Sequence, residues 1–252
     1  MEIKEKLFYS ILNWHISNNA IHFFASRKHL ISSKDNNNNA SEPLSNTDIE
    51  KYEINEQKSI KIMANSLKEL KYEVENLQGC TLKKTATNLV FSDGNSNAKV
   101  MLIGEAPGEE EDKTGKPFQG KAGVLMDKML NAIGQNRNNT YITNVVFWRP
   151  PGNRNPSDEE ISICMPFVLK HIELVNPKIL ILAGAVATRA ILKEKEGIIQ
   201  LRGKWKNFMT STSSNIRVMP IFHPAFLLRQ PTRKREAWED LKKIKKEIDL
   251  IT

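Results

Sequence analysis

Cysteine is nearly missing from this sequence. Cys80 and Cys164 are its only two in 252 residues. That is too few for a disulfide framework, so reduced thiols in a cytoplasmic protein are expected. Long apolar runs are missing as well. No stretch approaches the roughly 20 apolar residues that span a bilayer, so no membrane-spanning segment is expected. Residues 1–26 carry Leu7, Phe8, Ile11, Leu12, Ile16, Ile21, Phe23 and Phe24, but Glu2, Glu5, Asn13 and His15 interrupt them. Without a clean apolar centre or a small-residue cleavage site they do not make a secretory signal. An amphipathic helix that docks on the body or on a partner is expected instead. No repeat of the solenoid kind occurs. Acidic residues are the minority, 29 Asp and Glu against 37 Lys and Arg. The net charge of +8 and pI of about 9.3 suit a polyanion such as nucleic acid or an anionic surface, or simply a basic protein with no such partner.

Residues 32–46, SSKDNNNNASEPLSN, are polar and Asn-rich, the composition of a flexible linker. The expected organisation is a helical extension over residues 1–31, a linker over 32–58 and a main domain over 59–252. Residues 59–76 place Ile60, Met63, Leu67, Leu70, Tyr72 and Val74 at roughly helical spacing, which predicts a helix leading into that domain. From Lys99 onward strand-like and helix-like segments alternate. Strands are predicted over 100–103, 141–147, 178–183 and 218–222. Helices are predicted from about Lys121, over 157–175 behind a Ser157/Glu160 capping box, over 185–192 and over 234–248. Residues 197–205, GIIQLRGKW, read as a short strand and turn. The alternation predicts an α/β fold with a mostly parallel sheet covered on both faces.

The chain is organised around residues 98–123, AKVMLIGEAPGEEEDKTGKPFQGKAG. A buried strand breaks there at Gly104-Glu105-Ala106-Pro107-Gly108. The loop at the carboxyl end of such a strand is where α/β sheets place ligands. The turn alone is weak evidence, because it reads equally as a structural βα turn with residues 109–112 as a solvated acidic face. Phe118 either offers a flat face for stacking on a base or packs in the core. Lys116 and Lys121 beside it are candidate phosphate contacts. The second strand runs into Asn144 near its carboxyl end. The Asn144 amide carries an acceptor and a donor, so it can match a pyrimidine edge that presents N–H beside a carbonyl; the alternative is a loop cap. Arg149 and Arg154, on a Pro/Gly-rich loop, either contact phosphate or are solvated. His223 ends the fourth strand. Glu105, Asn144 and His223 thus stand at carboxyl ends of strands in one sheet and can converge on one pocket. Leu227 and Leu228, flanked by Arg229, Arg233, Lys234 and Arg235, form either an apolar wedge with phosphate anchors or core packing. Arg202 and Lys204 are further candidates for DNA contact.

Several motifs in order, GEAPG with its acidic tail, KPFQGKAG, TNVVFWRPPGNR, LILAGAVA, LRGKW and FHPAFLLR, resemble the family 4 uracil-DNA glycosylases over residues 79–246. The resemblance implies a three-layer αβα sandwich around a central, mostly parallel four-stranded sheet. It implies a monofunctional DNA-repair hydrolase, acting as a monomer on uracil-containing DNA and leaving an abasic site. Hypoxanthine or xanthine as the released base, or a noncatalytic lesion-binding protein, are the alternatives within the fold; a nucleotide- or phosphate-binding α/β protein lies outside it. By the resemblance, the loop of Gly104, Glu105 and Ala106 lies against uracil and the hydrolytic water. Phe118 stacks on the base, Asn144 reads its edge and His223 faces its O2. Lys116, Lys121, Arg149, Arg154, Leu227, Leu228 and Arg229 are carried as the DNA-binding set. The inserted basic loop of the branch that traps DNA covalently is missing between Gly115 and Gly123, so turnover is expected.

One departure stands out. Family 4 enzymes hold a [4Fe–4S] cluster on four cysteines, and such clusters take four thiolates. Here the matching positions are Leu77, Cys80, Trp148 and Cys164. Leucine and tryptophan cannot ligate iron, so no metal or other cofactor is expected. Cys80 and Cys164 remain as buried small hydrophobes.

Overall fold

Five consecutive buried residues, VMLIG, make the strand around which the sheet is built. In the computed structural model, which describes residues 62–212 and 214–251, β1 (Asp93–Gly94), β2 (Val100–Gly104), β3 (Thr140–Asn144), β4 (Ile179–Ala183), β5 (Lys206–Met209) and β6 (Asn215–Ile221) form one sheet. Its order is β1-β3-β2-β4-β6-β5. The helices are α1 (Leu67–Glu75), α2 (Glu109–Thr114), α3 (Lys121–Asn131), α4 (Asp158–Val175), α5 (Ala185–Leu192), α6 (Ile198–Leu201), α7 (Pro224–Arg229) and α8 (Lys234–Ile251). The helical extension expected over 1–31, the linker over 32–58 and residues 59–61 lie outside the described residues.

β3, β2, β4 and β6 are mutually parallel. β2, β3 and β4 are buried at every position, as parallel strands covered on both faces must be. Side chains alternate between two cores. Met101, Ile103, Leu180 and Leu182 pack with residues of α1, α4 and α5. Val100, Leu102, Ile179 and Ile181 pack with α3, α7 and α8 on the other side. The expected three-layer arrangement is therefore present, but the sheet is wider than expected. β1 and β5 pair antiparallel at its two edges. β1 is only an Asp-Gly pair, and β5 alternates half-buried and exposed residues, so neither carries the continuous apolar run that marks a buried strand.

Local chemistry explains the element ends. Ser157 Oγ accepts from Glu160 N (3.2 Å) while the Glu160 carboxylate accepts from Ser157 N (2.7 Å), the capping box expected at the start of α4. α1 starts later than predicted, at a cap where Ser66 Oγ accepts from Glu69 N. The second strand ends earlier than predicted, at Asn144. Beyond it Val145 N and Val146 N donate to the carbonyls of Gly104 and Glu105 (3.0 and 3.2 Å), so the chain leaves the sheet while bound to the loop after β2.

The stretch 197–205 is also different from its reading. Residues 198–201 are helical, the chain reverses at Gly203 (φ +69°), and the strand begins only at Lys206. A Cβ on Gly203 would lie 2.1 Å from Asp240 Oδ1, so close packing as well as φ requires glycine there. Arg202, expected as a candidate DNA contact, is turned inward. Its Nε donates to Asp240 (2.7 Å), Nη2 donates to the Glu236 carbonyl and to Asp240, and its guanidinium sits 5.2 Å from the Phe222 ring centre. It is a strut that binds α8 to the end of β6.

Candidate active site at the carboxyl ends of the strands

From β2 the chain goes to β3 on one side and then to β4 on the other. This reversal is the place where open α/β sheets form a ligand crevice. Glu105, Ala106, Pro107, Gly108, Asn153, Arg154, Asn155, His223, Ala225 and Arg229 line a cleft of about 230 Å³ there.

Beside the cleft, outside its lining, Gly104 and Gly184 make room for Asn144, Phe118 and His223. A Cβ on Gly104 would lie 2.4 Å from Asn144 Oδ1 and 2.6 Å from Phe118 Cζ. Only glycine lets the Asn144 amide and the Phe118 ring close over the end of β2. Gly104 and Asn144 are register partners across β2 and β3, and Asn144 is buried. The Phe118 ring is stacked toward His223, with centroids 5.8 Å apart at 28°. Gly184 (φ +95°) ends β4, and a Cβ there would meet the Cβ of His223 at 2.9 Å. The glycine in LILAGAVA thus makes room for the histidine.

His223 caps α7: its Nδ1 accepts from Ala225 N at 3.2 Å. Burial, and after it the charge of Arg229, lower its pKa to about 4, with Glu111 opposing. The imidazole is therefore neutral at neutral pH. Because Nδ1 is an acceptor, the proton sits on Nε2. Glu105 is half-buried, and desolvation raises its pKa against the opposing charges of Arg189 and Arg229.

The acidic run is not a uniform solvated face. Glu109 and Glu110 are exposed. The buried Asp112 accepts from Thr87 N and Asn88 N at 2.8 and 3.0 Å. Glu111 joins the two loops of the site: Oε2 accepts from Gly108 N (2.9 Å), and Oε1 accepts from Gln119 N and Gly120 N (2.7 and 2.8 Å). Glu111 and Gly184 were not among the expected site residues. The spacing of Glu111 three positions after Gly108 was the available signal, since it makes a capping contact back to that residue.

The outer residues divide. Arg154 lines the cleft and makes a two-pronged pair with Glu160 (2.8 and 2.6 Å). Arg149 donates to Asn153 Oδ1 at 2.7 Å and lies 3.8 Å from Glu109. Lys116, Lys121 and Leu228 are exposed and outside the cleft lining. The wedge expectation fails for Leu227, which is 1% exposed and packs in the core with α3 and α8, because it lies on the inner side of α7. Leu228 is 43% exposed.

A family model described as the uracil DNA glycosylase superfamily matches residues 91–242. A mostly parallel α/β sheet with these polar groups converging at its carboxyl ends is therefore of that class, and the chain belongs to the uracil DNA glycosylase superfamily. The type within it follows from relatives. The chain is 39% identical to a type-4 uracil-DNA glycosylase of Sulfurisphaera tokodaii over 188 residues, 71% of this chain and 84% of that protein. It is 39% identical to one of Thermotoga maritima over 175 residues, 68% and 89% of the two chains. It is 40% identical to one of Saccharolobus solfataricus over 181 residues, 70% and 83%. The resemblance read from the motifs is borne out.

Leu77, Cys80, Trp148 and Cys164 are all buried and belong to one apolar core, which residues of α1 and α4 share. Both cysteines are free thiols, with the Cys164 S–H as hydrogen-bond donor toward the Cys80 sulfur. This contact lowers the pKa of Cys80 and, with burial, raises that of Cys164. Among the described residues no group of three His, Cys, Asp or Glu side chains is placed to hold a metal, and the whole sequence has only these two cysteines. A [4Fe–4S] cluster needs four thiolates, so the residues present do not fit one.

Proposed function

We propose that this protein excises uracil from DNA by hydrolysing the N-glycosidic bond, leaving an abasic site, and that it does so without an iron–sulfur cluster. The observation that carries the reading is the contact of Gly104, Asn144 and Phe118 beside a neutral His223 with its proton on Nε2. A flat ring, an amide edge and a single N–H donor are what recognition of a pyrimidine dione requires. The target nucleotide leaves the base stack to enter the cleft. Phe118 stacks on the base and Asn144 pairs with N3–H and O4, a pattern that cytosine cannot match.

As the glycosidic bond breaks, electrons pass to the uracil ring and the sugar becomes oxocarbenium-like. His223 Nε2–H donates to O2, where negative charge develops. A donor fixed in place by the Ala225 N–H contact needs no reorganisation to do this. Glu105, next to the cleft and electrostatically supported by Arg189 and Arg229, orients the attacking water and faces the developing sugar cation. Water adds to C1′, and its proton is lost to solvent or to the departing uracil. Arg149, Arg154, Arg229, Lys116 and Lys121 hold the backbone, and Leu228 is the residue left to fill the vacated stack. The reading includes action in the cytoplasm, which a sequence with too few cysteines for a disulfide framework supports, and a monomeric protein. Among the described residues no helix is long and apolar enough to cross a membrane.

The test is a labelled oligonucleotide with one uracil, incubated with protein whose iron content is measured. Alkali-sensitive cleavage at uracil by iron-free protein is the expected result. No release of uracil by folded, DNA-binding protein would overturn the reading, and release of hypoxanthine or xanthine instead would redirect it.

A further inference from the structure

Phe118 has a backbone conformation that needs to be held. Its φ is +56°, in the left-handed region that non-glycine residues seldom adopt. The loop doubles back so tightly that a Cβ on Gly123 would lie 1.9 Å from the Phe118 carbonyl oxygen. The N–H groups after Phe118 are gathered by Glu111, as described above. The carbonyl groups are gathered from the other side by Arg137, in the connection between α3 and β3. Its Nη1 donates to the Pro117 carbonyl (3.1 Å) and to Asp93 Oδ2 (2.7 Å), and its Nη2 to the Phe118 carbonyl and to Asp127 Oδ2 (3.3 Å). Nε donates to Asp127 Oδ1 at 3.1 Å. Every N–H of the guanidinium is used, and the side chain is three-quarters covered. Asp93 and Asp127 fix the fork, and the fork fixes two successive carbonyls of a loop that carries the stacking ring. An ammonium group cannot reproduce this planar set of bonds.

We propose that Arg137 is a positioning residue for uracil excision: it holds the backbone of Pro117 and Phe118 so that the Phe118 ring is in place before a base enters. It touches neither base nor sugar. The inference rests on the reading of Phe118 as the stacking floor.

The experiment uses the full-length chain, single-turnover uracil release and DNA binding by anisotropy. Arg137→Met is expected to lower the maximal rate about 10- to 100-fold while DNA affinity changes by about twofold or less. Arg137→Lys is expected to recover only part of that loss, because it restores charge but not the fork. Phe118→Ala combined with Arg137→Met is expected to be no slower than Phe118→Ala alone, since Arg137 acts through that ring. Wild-type rates in Arg137→Met, full recovery in Arg137→Lys, or losses that add in the double variant would each overturn the proposal. Should Arg137→Met fail to fold, Arg137→Lys and its combination with Phe118→Ala carry the same test. Should the wild-type protein release no uracil, the functional reading fails separately. Amide hydrogen exchange then decides: faster exchange at residues 118–120 in Arg137→Lys supports the positioning role, and unchanged exchange there overturns it.

Discussion

The cleft and the cysteine pocket come from neighbouring parts of the same stretch, TNVVFWRPPGNR, yet they follow opposite rules. Asn144 ends a strand, and its amide closes against Gly104 and Phe118 at distances that a single added carbon would violate. Trp148 follows it into an apolar core with Leu77, Cys80 and Cys164. In the cleft the identity and direction of each polar group matter, and backbone contacts fix them. In the pocket only volume and apolarity matter, so two positions that carry cluster ligands in the resembling family are filled here by large hydrophobic side chains.

That comparison can be broken or sharpened by experiment. The largest effects belong to the cleft: Asn144→Ala and His223→Ala should each lower the single-turnover rate by about 10²- to 10³-fold with DNA binding nearly unchanged, His223→Ala losing only about 1 kcal/mol of stability with its cap on α7. A large loss of stability in either would mean that the cleft, too, is mainly packing. Trp148→Ala should show the reverse pattern, destabilising the protein by about 3–5 kcal/mol in denaturant unfolding while the folded fraction keeps its rate. Chelation during purification should cost neither stability nor rate.

A smaller effect separates His171 and His223, the two histidines held below the ordinary pKa. His171 lies wholly buried among the rings of Phe91, Tyr141 and Phe147, with no partner for either nitrogen, and burial lowers its pKa to about 3. His223 is lowered to about 4. Both fall below the ordinary value of 6.5, so the unfolded chain takes up protons first as the solution is acidified. The contribution of these two histidines to stability should be constant above about pH 6.5 and decline below it, levelling off for each group past its folded pKa. His171→Leu should flatten that decline without changing the rate of base release at neutral pH. The smallest expected effect is that of Lys116→Ala, which should weaken binding to all DNA sequences alike and reduce the slope of log affinity against log salt by about 1.

Much of this was legible in the chain. The continuous apolar runs of β2 and β4 and the apolar segments at β3 and β6 gave the parallel centre, and Ser157 with Glu160 gave the start of α4. Glu105, Asn144 and His223 could be placed together because each follows such a run. β1 and β5 were not legible, since an Asp-Gly pair and a four-residue half-exposed strand gain their identity from the neighbour they pair with. Leu227 and Leu228 could not be told apart in advance: which of two adjacent leucines turns inward is settled by how α7 packs against α3. Arg202 looked like a DNA contact for the same reason, because its partner Asp240 is 38 residues away.

The sequence by itself determined the α/β alternation, the order of the site loops and the shortage of thiols, since each depends on residue type at short spacing. The tertiary structure decided which polar groups face the cleft, which proton His223 carries and how Phe118 is held. Those depend on contacts between segments far apart in the chain, Gly104 with Asn144, Gly184 with His223, and Arg137 with Phe118, and such contacts exist only once the sheet has formed.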